Sequence, residues 1–142
     1  MSVSVVVVAP ADPLTVWRRG SDVARWPDWN TECAAATVDG PPEPGRLLDL
    51  RLRHPRSGRE FITRPRVSES EPGRRFAWAA RGLGLRAEIQ ADFSPEHDGT
   101  RIDLRALTGG AFAFTYRLTM TDRTLALLYT RMLDALVEDL RS

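Results

Sequence analysis

The sequence predicts a single α+β domain, in which a curved antiparallel sheet of about seven strands wraps around a long C-terminal helix. Three observations predict this fold. Residues 1–142 have the length of one ordinary domain. From residue 33 onward, apolar and polar residues alternate with a period of two, as in half-buried antiparallel strands. Residues 121–140 carry apolar residues at helical spacing, and this helix is the cover that such a sheet needs.

The N-terminal segment predicts one strand followed by two short helices. Val3–Ala9 is short and rich in β-branched residues, which favour a strand. Asp12 stands before a proline, a pairing typical of a helix N-cap, and this first helix is expected to end at Gly20. A second short helix contains Trp26 and is expected to stop at Pro27.

Five alternating runs predict the main strands of the sheet. Their inward members are Leu48, Leu50 and Leu52; Phe61, Thr63, Pro65 and Val67; Phe76, Trp78 and Ala80; Leu85, Ala87, Ile89, Ala91 and Phe93; and Ile102, Leu104 and Ala106. Segments rich in Gly and Pro separate the runs, so consecutive strands are expected to form hairpins. Pro65 lies inside one run and has no N–H, which predicts a sheet edge or a bulge there.

The C-terminal helix is expected to begin at a cap formed by Thr121 and Asp122 and to reach Leu140. Its apolar stripe consists of Leu125, Leu128, Met132, Leu136 and Leu140. Residues 109–120 either extend the last strand or begin this helix, and the pattern does not distinguish the two. Together the elements predict the helix-grip arrangement, whose geometry leaves a cavity between sheet and helix.

Composition excludes several classes of function. The 20 basic and 19 acidic residues leave a formal charge of +1, and they are interspersed, so nucleic acid is not an expected partner. Every basic residue is Arg, which excludes Schiff-base catalysis and P-loop phosphate binding because both need a lysine amine. Cys33 is the single cysteine, which excludes an internal disulfide and a thiolate metal cluster.

No targeting, membrane, metal or cofactor signal is present. The apolar run Val5–Val8 lacks the positively charged region that precedes a signal peptide, and no apolar stretch approaches the ~20 residues that span a bilayer. His54 and His97 lie on separate turns without metal-ligand spacing. We therefore expect a cytoplasmic protein without a membrane span, metal or cofactor.

Two stretches of the chain resemble a known superfamily. Residues 16–17 read Val-Trp and residues 21–30 read Ser-Asp-Val-Ala-Arg-Trp-Pro-Asp-Trp-Asn; residues 66–78 read Arg-Val-Ser-Glu-Ser-Glu-Pro-Gly-Arg-Arg-Phe-Ala-Trp. With the hairpins and the closing helix, they resemble the START-like (SRPBCC) superfamily over nearly the whole chain, and most closely its polyketide cyclase/dehydrase branch. The resemblance implies a hydrophobic pocket between the short helices, a hairpin and the C-terminal helix. It says less about function, because the superfamily includes lipid carriers, cyclases, hormone receptors and co-chaperones.

The resemblance to aromatase/cyclases of aromatic polyketide synthesis is incomplete at the pocket. Trp26 matches their pattern. In an ungapped alignment from Gly58, their pocket arginine falls on Val67 and their aromatic residue of the same strand falls on Thr63. Their pocket tyrosine falls on Cys33. These differences argue against the aromatase mechanism.

The inward faces predict a mainly apolar ligand pocket. Its predicted lining is Trp26, Trp29, Cys33, Leu50, Leu52, Thr63, Val67, Trp78, Ile89, Leu104, Tyr129 and Met132. Trp26 and Trp29 flank a proline, and we expect them to gate the pocket, with their indole N–H groups available to bind a ligand oxygen. Packing in the core is the competing interpretation for the aromatic residues.

His54 and Tyr116 are the candidates for a catalytic role. His54 shares the parity of the inward leucines and would serve as a general acid or base if it pointed inward. A hairpin histidine without function is the competing interpretation. Tyr116 would donate to a carbonyl as an enol forms, whereas a buried tyrosine bonded to backbone is the alternative. Because so apolar a pocket has little means of moving protons, any catalysis would depend on shaping the ligand.

The leading functional hypothesis is binding of a hydrophobic small molecule, either a polyketide-type intermediate or a lipid. If the protein is an enzyme, we expect a cofactor-independent polyketide cyclase or dehydratase. One alternative is a non-catalytic carrier or sensor. Another is a protein-interaction module of the co-chaperone type, which a large exposed apolar patch would favour. The sequence leaves open whether the chain forms a homodimer.

Overall fold

The computed structural model describes residues 2–82, 84–111 and 120–142. The elements within these ranges, in chain order, are β1 (Ser2–Ala9), α1 (Pro13–Ser21), a 3₁₀ turn (Val23–Arg25), α2 (Trp26–Trp29), β2 (Cys33–Val38), β3 (Leu48–Arg53), β4 (Glu60–Thr63), β5 (Arg66–Glu71), β6 (Arg75–Gly82), β7 (Leu85–Glu96), β8 (Gly99–Gly109) and α3 (Asp122–Arg141). This order confirms the predicted α+β helix-grip fold.

The strands pair antiparallel throughout the described ranges. Five of them form a sheet in the order β1-β8-β7-β6-β5, and the other three form a sheet in the order β2-β3-β4. The two sheets meet where Leu47 bridges to Arg66, and there the Leu48 amide donates to the Pro65 carbonyl at 2.8 Å. This corner lets the wall turn around the helix.

The structure corrects the predicted strand that ran through Pro65. That run is two strands, since β4 ends at Thr63 and pairs with β3, whereas β5 begins at Arg66 and pairs with β6. Proline cannot donate to a strand ladder, so the chain changes partner at this residue. The described residues therefore contain eight strands where the alternation predicted about seven.

The structure also corrects the second short helix. Pro27 lies in the first turn of α2 instead of ending a helix. Proline is tolerated there because the first helical N–H groups have no partner within the helix. The first helix keeps its predicted cap, since the Asp12 carboxylate accepts from the Thr15 amide at 3.2 Å, and it ends at Ser21, one residue past Gly20.

Helix α3 lies across the concave face of the sheet and forms the core with it. Its first turn is capped as predicted, because the Thr121 hydroxyl accepts from the Thr124 amide at 3.2 Å. The buried face consists of Thr124, Leu125, Leu128, Tyr129, Met132, Leu133, Leu136 and Val137. Within the described ranges, no helix is long and apolar enough to cross a membrane.

The prediction for residues 109–120 is tested only at its two ends. Strand β8 ends at Gly109, Gly110 follows with a φ of 101°, and Met120 is buried. Residues 112–119, which include Tyr116, lie outside the described residues.

Candidate functional site

A cavity of about 440 Å³ lies between the sheet and helix α3. Its walls come from α2, β3, β4, β6, β7 and α3, with Met120 beside the helix. The size falls within the ~300–1,000 Å³ of pockets that enclose small molecules. Apolar side chains provide most of its surface.

Most of the predicted pocket residues line this cavity. They are Trp26, Leu50, Leu52, Thr63, Trp78, Ile89, Tyr129 and Met132. All of these except Trp26 lie on β3, β4, β6, β7 or α3, so strand parity and helical spacing placed them on the inner surface. That they contact a ligand remains a prediction.

Four predicted pocket residues do not line the cavity: Trp29, Cys33, Val67 and Leu104. Each is at most 7% exposed and belongs to the hydrophobic core. Trp29 also borders a separate polar pocket on the other side of the short helices, together with charged residues such as Arg18 and Asp28. Leu104, for example, lies in the middle of the five-stranded sheet, paired across the ladders with Val5 and Ala91. Their inward orientation was correct, but parity cannot tell a filled part of the interior from an open one.

Cys33 is a structural residue in this arrangement. Burial raises the pKa of its thiol to about 11, so the thiolate is scarce near neutral pH. Its Sγ lies 3.4 Å from the Ala35 carbonyl oxygen. The geometry gives it no role as a nucleophile.

His54 belongs to the turn between β3 and β4 and does not line the cavity. Its Nδ1 accepts hydrogen bonds from the Arg56 and Ser57 amides, both at 3.2 Å, and its carbonyl accepts from the Gly58 amide at 2.9 Å. The ring thus folds back on its own loop because the local amides supply donors for it. This arrangement agrees with a hairpin histidine and does not bring the His54 imidazole to the cavity.

Trp26 forms a fixed part of the cavity wall. Its Nε1 donates to the Gly20 carbonyl at 2.9 Å, so this N–H is not available to a ligand, contrary to the prediction. Its ring lies edge to face with that of Trp78. The Nε1 of Trp29 is buried, finds no acceptor in the described structure, and lies outside the cavity. Neither indole N–H therefore serves as the predicted gate contact.

The structure adds lining residues that the prediction missed. Several have the inward parity or helical spacing that could have identified them: Phe61, Pro65, Ala80, Leu85, Ala87, Leu125 and Leu128. Others had no such signal, because they lie at turns or on outward parity: Asn30, Ile62, Arg64, Arg81, Gly82 and Met120.

The cavity has a buried inner end and an open mouth. Asn30 and Trp26 are both 2% exposed and mark the inner end. Along β6, from Trp78 to Gly82, the wall runs about 13 Å outward at ~3.3 Å per residue. At the mouth, the side chains of Arg64 and Arg81 are 61% and 75% exposed.

The chemistry of the described lining favours binding over proton transfer. Its ionisable side chains are Arg64, Arg81 and Tyr129, and it contains no carboxylate and no imidazole. Both arginines lie at the mouth beside carboxylates, Arg64 at 3.3 Å from Asp49 and Arg81 at 3.9 Å from Glu88. This set of side chains can hold an apolar molecule and exclude water, but it offers no paired acid and base.

Comparison with protein families gives one match over nearly the whole chain. The model of the family described as polyketide cyclase / dehydrase and lipid transport matches residues 1–141. No curated protein sequence matches this chain.

Solved structures share the fold at low sequence identity. A Thermus thermophilus protein is 18% identical with a TM-score of 0.81, and the match covers 99% of this chain and 97% of that one. A START superfamily protein from Mycobacterium smegmatis is 18% identical with a TM-score of 0.73, covering 98% of each chain. The di-domain ARO/CYC StfQ of the steffimycin biosynthetic pathway is 12% identical with a TM-score of 0.79, covering 96% of this chain and 50% of StfQ. At these identities, the likeness shows the fold.

Proposed function

Because the chain belongs to the polyketide cyclase/dehydrase and lipid transport family, we propose that it binds a hydrophobic small molecule of polyketide type in the cavity between the sheet and α3. The observation that carries this proposal is the cavity itself, about 440 Å³ in volume and walled mainly by apolar side chains. Removing apolar surface from water contributes about 25 cal/mol per Å². A rigid ligand of matching shape would gain most of its affinity in this way.

Any catalysis at this site would work through the shape of the cavity. A flexible reactive chain held between α2, β6 and α3 would be confined to few conformers, which raises the fraction poised for ring closure. The described lining has no carboxylate or imidazole that would carry a proton during the reaction. The same observation supports a second candidate function, a carrier that holds the molecule without changing it.

The described surface lends less support to a protein-interaction module. Val6, Val8 and Leu107 are exposed on the outer face of β1 and β8, at 46%, 52% and 47%. Charged residues interrupt them, since Val6 pairs across the ladder with Asp103 and Val8 pairs with Arg101. Such interleaving does not form the large contiguous apolar patch that an obligate docking site would present.

Binding of the fluorescent lipophile N-phenylnaphthylamine tests the proposal. Ala80 lines the cavity, whereas its neighbour Ala79 lies on the opposite face of β6. We expect Ala80→Phe to fill the cavity and weaken binding by at least tenfold, and the matched control Ala79→Phe to change it by less than about twofold. Equal affinity of wild type and Ala80→Phe for the probe would show that the probe binds outside the cavity and would contradict the proposal.

Native mass spectrometry of protein purified gently from its source distinguishes a polyketide-type ligand from a lipid. A bound oxygenated polycyclic molecule would support the polyketide-type ligand. A bound fatty acid would instead support the carrier.

A further inference from the structure

Asn30 is held rigidly at the inner end of the cavity, where α2 turns into β2. Its backbone N–H donates to the Trp26 carbonyl at 2.7 Å, and its backbone carbonyl accepts from the Cys33 backbone amide at 3.0 Å. Its side-chain Oδ1 accepts from the Glu32 amide at 3.0 Å, which closes an Asx turn. Three of its four polar groups are therefore used to shape the turn.

The fourth polar group, the side-chain Nδ2, has no acceptor among the described residues. The backbone N–H of Glu32 is a donor, so the side-chain atom of Asn30 that faces it must be the acceptor Oδ1. The donor Nδ2 of Asn30 therefore points away from the Glu32 N–H. Asn30 is 2% exposed and lines the cavity, so its Nδ2 has little access to outside solvent. Among the described residues, Trp29 Nε1 is the buried side-chain polar atom without a partner, so Asn30 Nδ2 is not sealed in the core. It faces the open space of the cavity instead, where a water molecule or a ligand oxygen would accept from it.

The surroundings make this donor selective. The cavity wall beside Asn30 includes the aromatic rings of Trp26 and Trp78, and the Nε1 of Trp26 is already bonded to backbone. In so apolar a setting, a hydrogen bond is stronger than in water. A site built around a buried donor discriminates against an otherwise identical ligand that leaves the donor unpaired.

We propose that Asn30 Nδ2 donates a hydrogen bond to a carbonyl or ether oxygen on the buried end of the ligand. This inference rests on the proposed function and narrows its ligand class. The molecule carries an oxygen acceptor on the part that enters first, as an oxygenated ring system does. A fatty acid that enters tail first presents no acceptor there.

A pair of probes of nearly equal shape tests the inference. Acetonaphthone carries a ketone, and isopropenylnaphthalene carries a methylidene group in its place. Asn30→Asp keeps an acceptor for the Glu32 amide and, when ionised, has no donor, whereas Asn30→Ser keeps an acceptor and replaces the amide by a shorter hydroxyl donor. We expect the ratio of ketone to hydrocarbon affinity to fall about tenfold in Asn30→Asp, which is the size of one buried hydrogen bond, and to fall less in Asn30→Ser.

Nuclear magnetic resonance gives a readout that needs no variant. The sequence contains one asparagine, Asn30, and one glutamine, Gln90, so a proton–nitrogen correlation spectrum contains two pairs of side-chain amide signals, one pair for each residue. Gln90 serves as the internal control, because its Nε2 donates to the Asp92 carboxylate at 2.9 Å on the outer face of the sheet. The ketone should shift the Asn30 signal, the hydrocarbon should shift it much less, and neither should shift the Gln90 signal.

The outcomes separate this inference from the proposed function. If wild type binds both probes, Ala80→Phe abolishes that binding, and the affinity ratio is the same in the Asn30 variants, the cavity binds ligands but Asn30 is not the anchor. If wild type binds neither probe, the inference falls together with the proposed function. An unmoved Asn30 signal on saturation with the ketone also overturns the inference.

Discussion

The rings of Trp26 and Trp78 lie edge to face, with their centroids 5.3 Å apart and their planes at 62°. One ring comes from α2 and the other from β6, so the pair ties the short helices to the sheet at the inner end of the cavity. Such pairs contribute about 0.5–1.5 kcal/mol beyond the area that they bury. This part of the cavity wall is therefore preformed in the absence of a ligand.

The two neighbouring indoles of α2 predict a difference in stability. Trp26→Phe leaves the Gly20 carbonyl without its donor, whereas Trp29→Phe removes a buried N–H that finds no acceptor in the described part of the chain. Both changes remove similar volume, so we expect Trp26→Phe to lower the free energy of unfolding by about 1–2 kcal/mol more than Trp29→Phe. Urea unfolding of the ligand-free variants measures this, and equal losses would contradict the assignment of the hydrogen bonds.

Gly99 is required by the close approach of β1 to the start of β8. A Cβ at this position would collide with the carbonyl oxygen of Ala9, and backbone cannot move aside easily. We expect Gly99→Ala to destabilise the protein by about 1–3 kcal/mol. The control is Gly82→Ala, at a strand end where an added Cβ would meet no atom within 4 Å. Thermal unfolding should give Gly99→Ala a lower midpoint than Gly82→Ala. A Gly99→Ala variant as stable as wild type would show that β1 and β8 can move apart to admit the added methyl group.

Cys33 predicts an alkaline loss of stability. Burial raises the pKa of its thiol from 9.0 to about 11, so the folded state favours the protonated form. The resulting stabilisation is complete below pH 9 and is lost as pH rises toward 11, because the unfolded chain can ionise first. Relative to Cys33→Ala, wild type should lose up to about 2–3 kcal/mol across this window. Parallel pH profiles of the two proteins, measured by urea unfolding, would refute the prediction.

Arg131 ties α3 to the loops at one end of the sheet. Its Nη1 donates to the Pro55 carbonyl at 2.9 Å and lies 3.4 Å from the carboxylate of Glu32, a residue that is 8% exposed. Arg131→Leu would leave that carboxylate poorly solvated and unpaired, so we expect a loss of about 1–2 kcal/mol, modest because the arginine is half exposed.

Adding Glu32→Gln to Arg131→Leu removes the negative charge of Glu32, which the single variant leaves without its ion-pair partner. The double variant should therefore regain part of the stability that Arg131→Leu loses, as urea unfolding of all four proteins would measure. A double variant whose loss equals the sum of the two single losses would show that the ion pair contributes nothing.

Periodicity accounts for the parts of the fold that the sequence predicted. Alternation from Leu48 to Ala106 and helical spacing from Leu125 to Leu136 each report which face of an element is apolar. That face must be buried, so inward orientation follows without knowledge of the partner. Leu104 and Leu50 were both oriented correctly for this reason, although only Leu50 borders the cavity.

The two prolines Pro27 and Pro65 show where prediction from short sequence segments is inaccurate. Pro27 was expected to end a helix and instead lies in the first turn of one. Pro65 was expected at a sheet edge or bulge inside one strand; it does lie at a sheet edge, because β4 and β5 are both outermost strands, but it separates these two strands instead of lying within one. The missing N–H of proline is tolerated wherever no partner is required. Whether a partner is required depends on neighbouring strands and turns that are distant in the sequence.

By itself, the sequence determined the fold class, the order of the elements and the apolar character of the interior, because these depend on patterns within single elements. Only the tertiary structure decided which inward residues border open space, since that depends on how closely α3 and α2 approach the sheet. Asn30 illustrates both levels. Its turn is local, but its place on the cavity wall exists only because β6 and α3 enclose the same space.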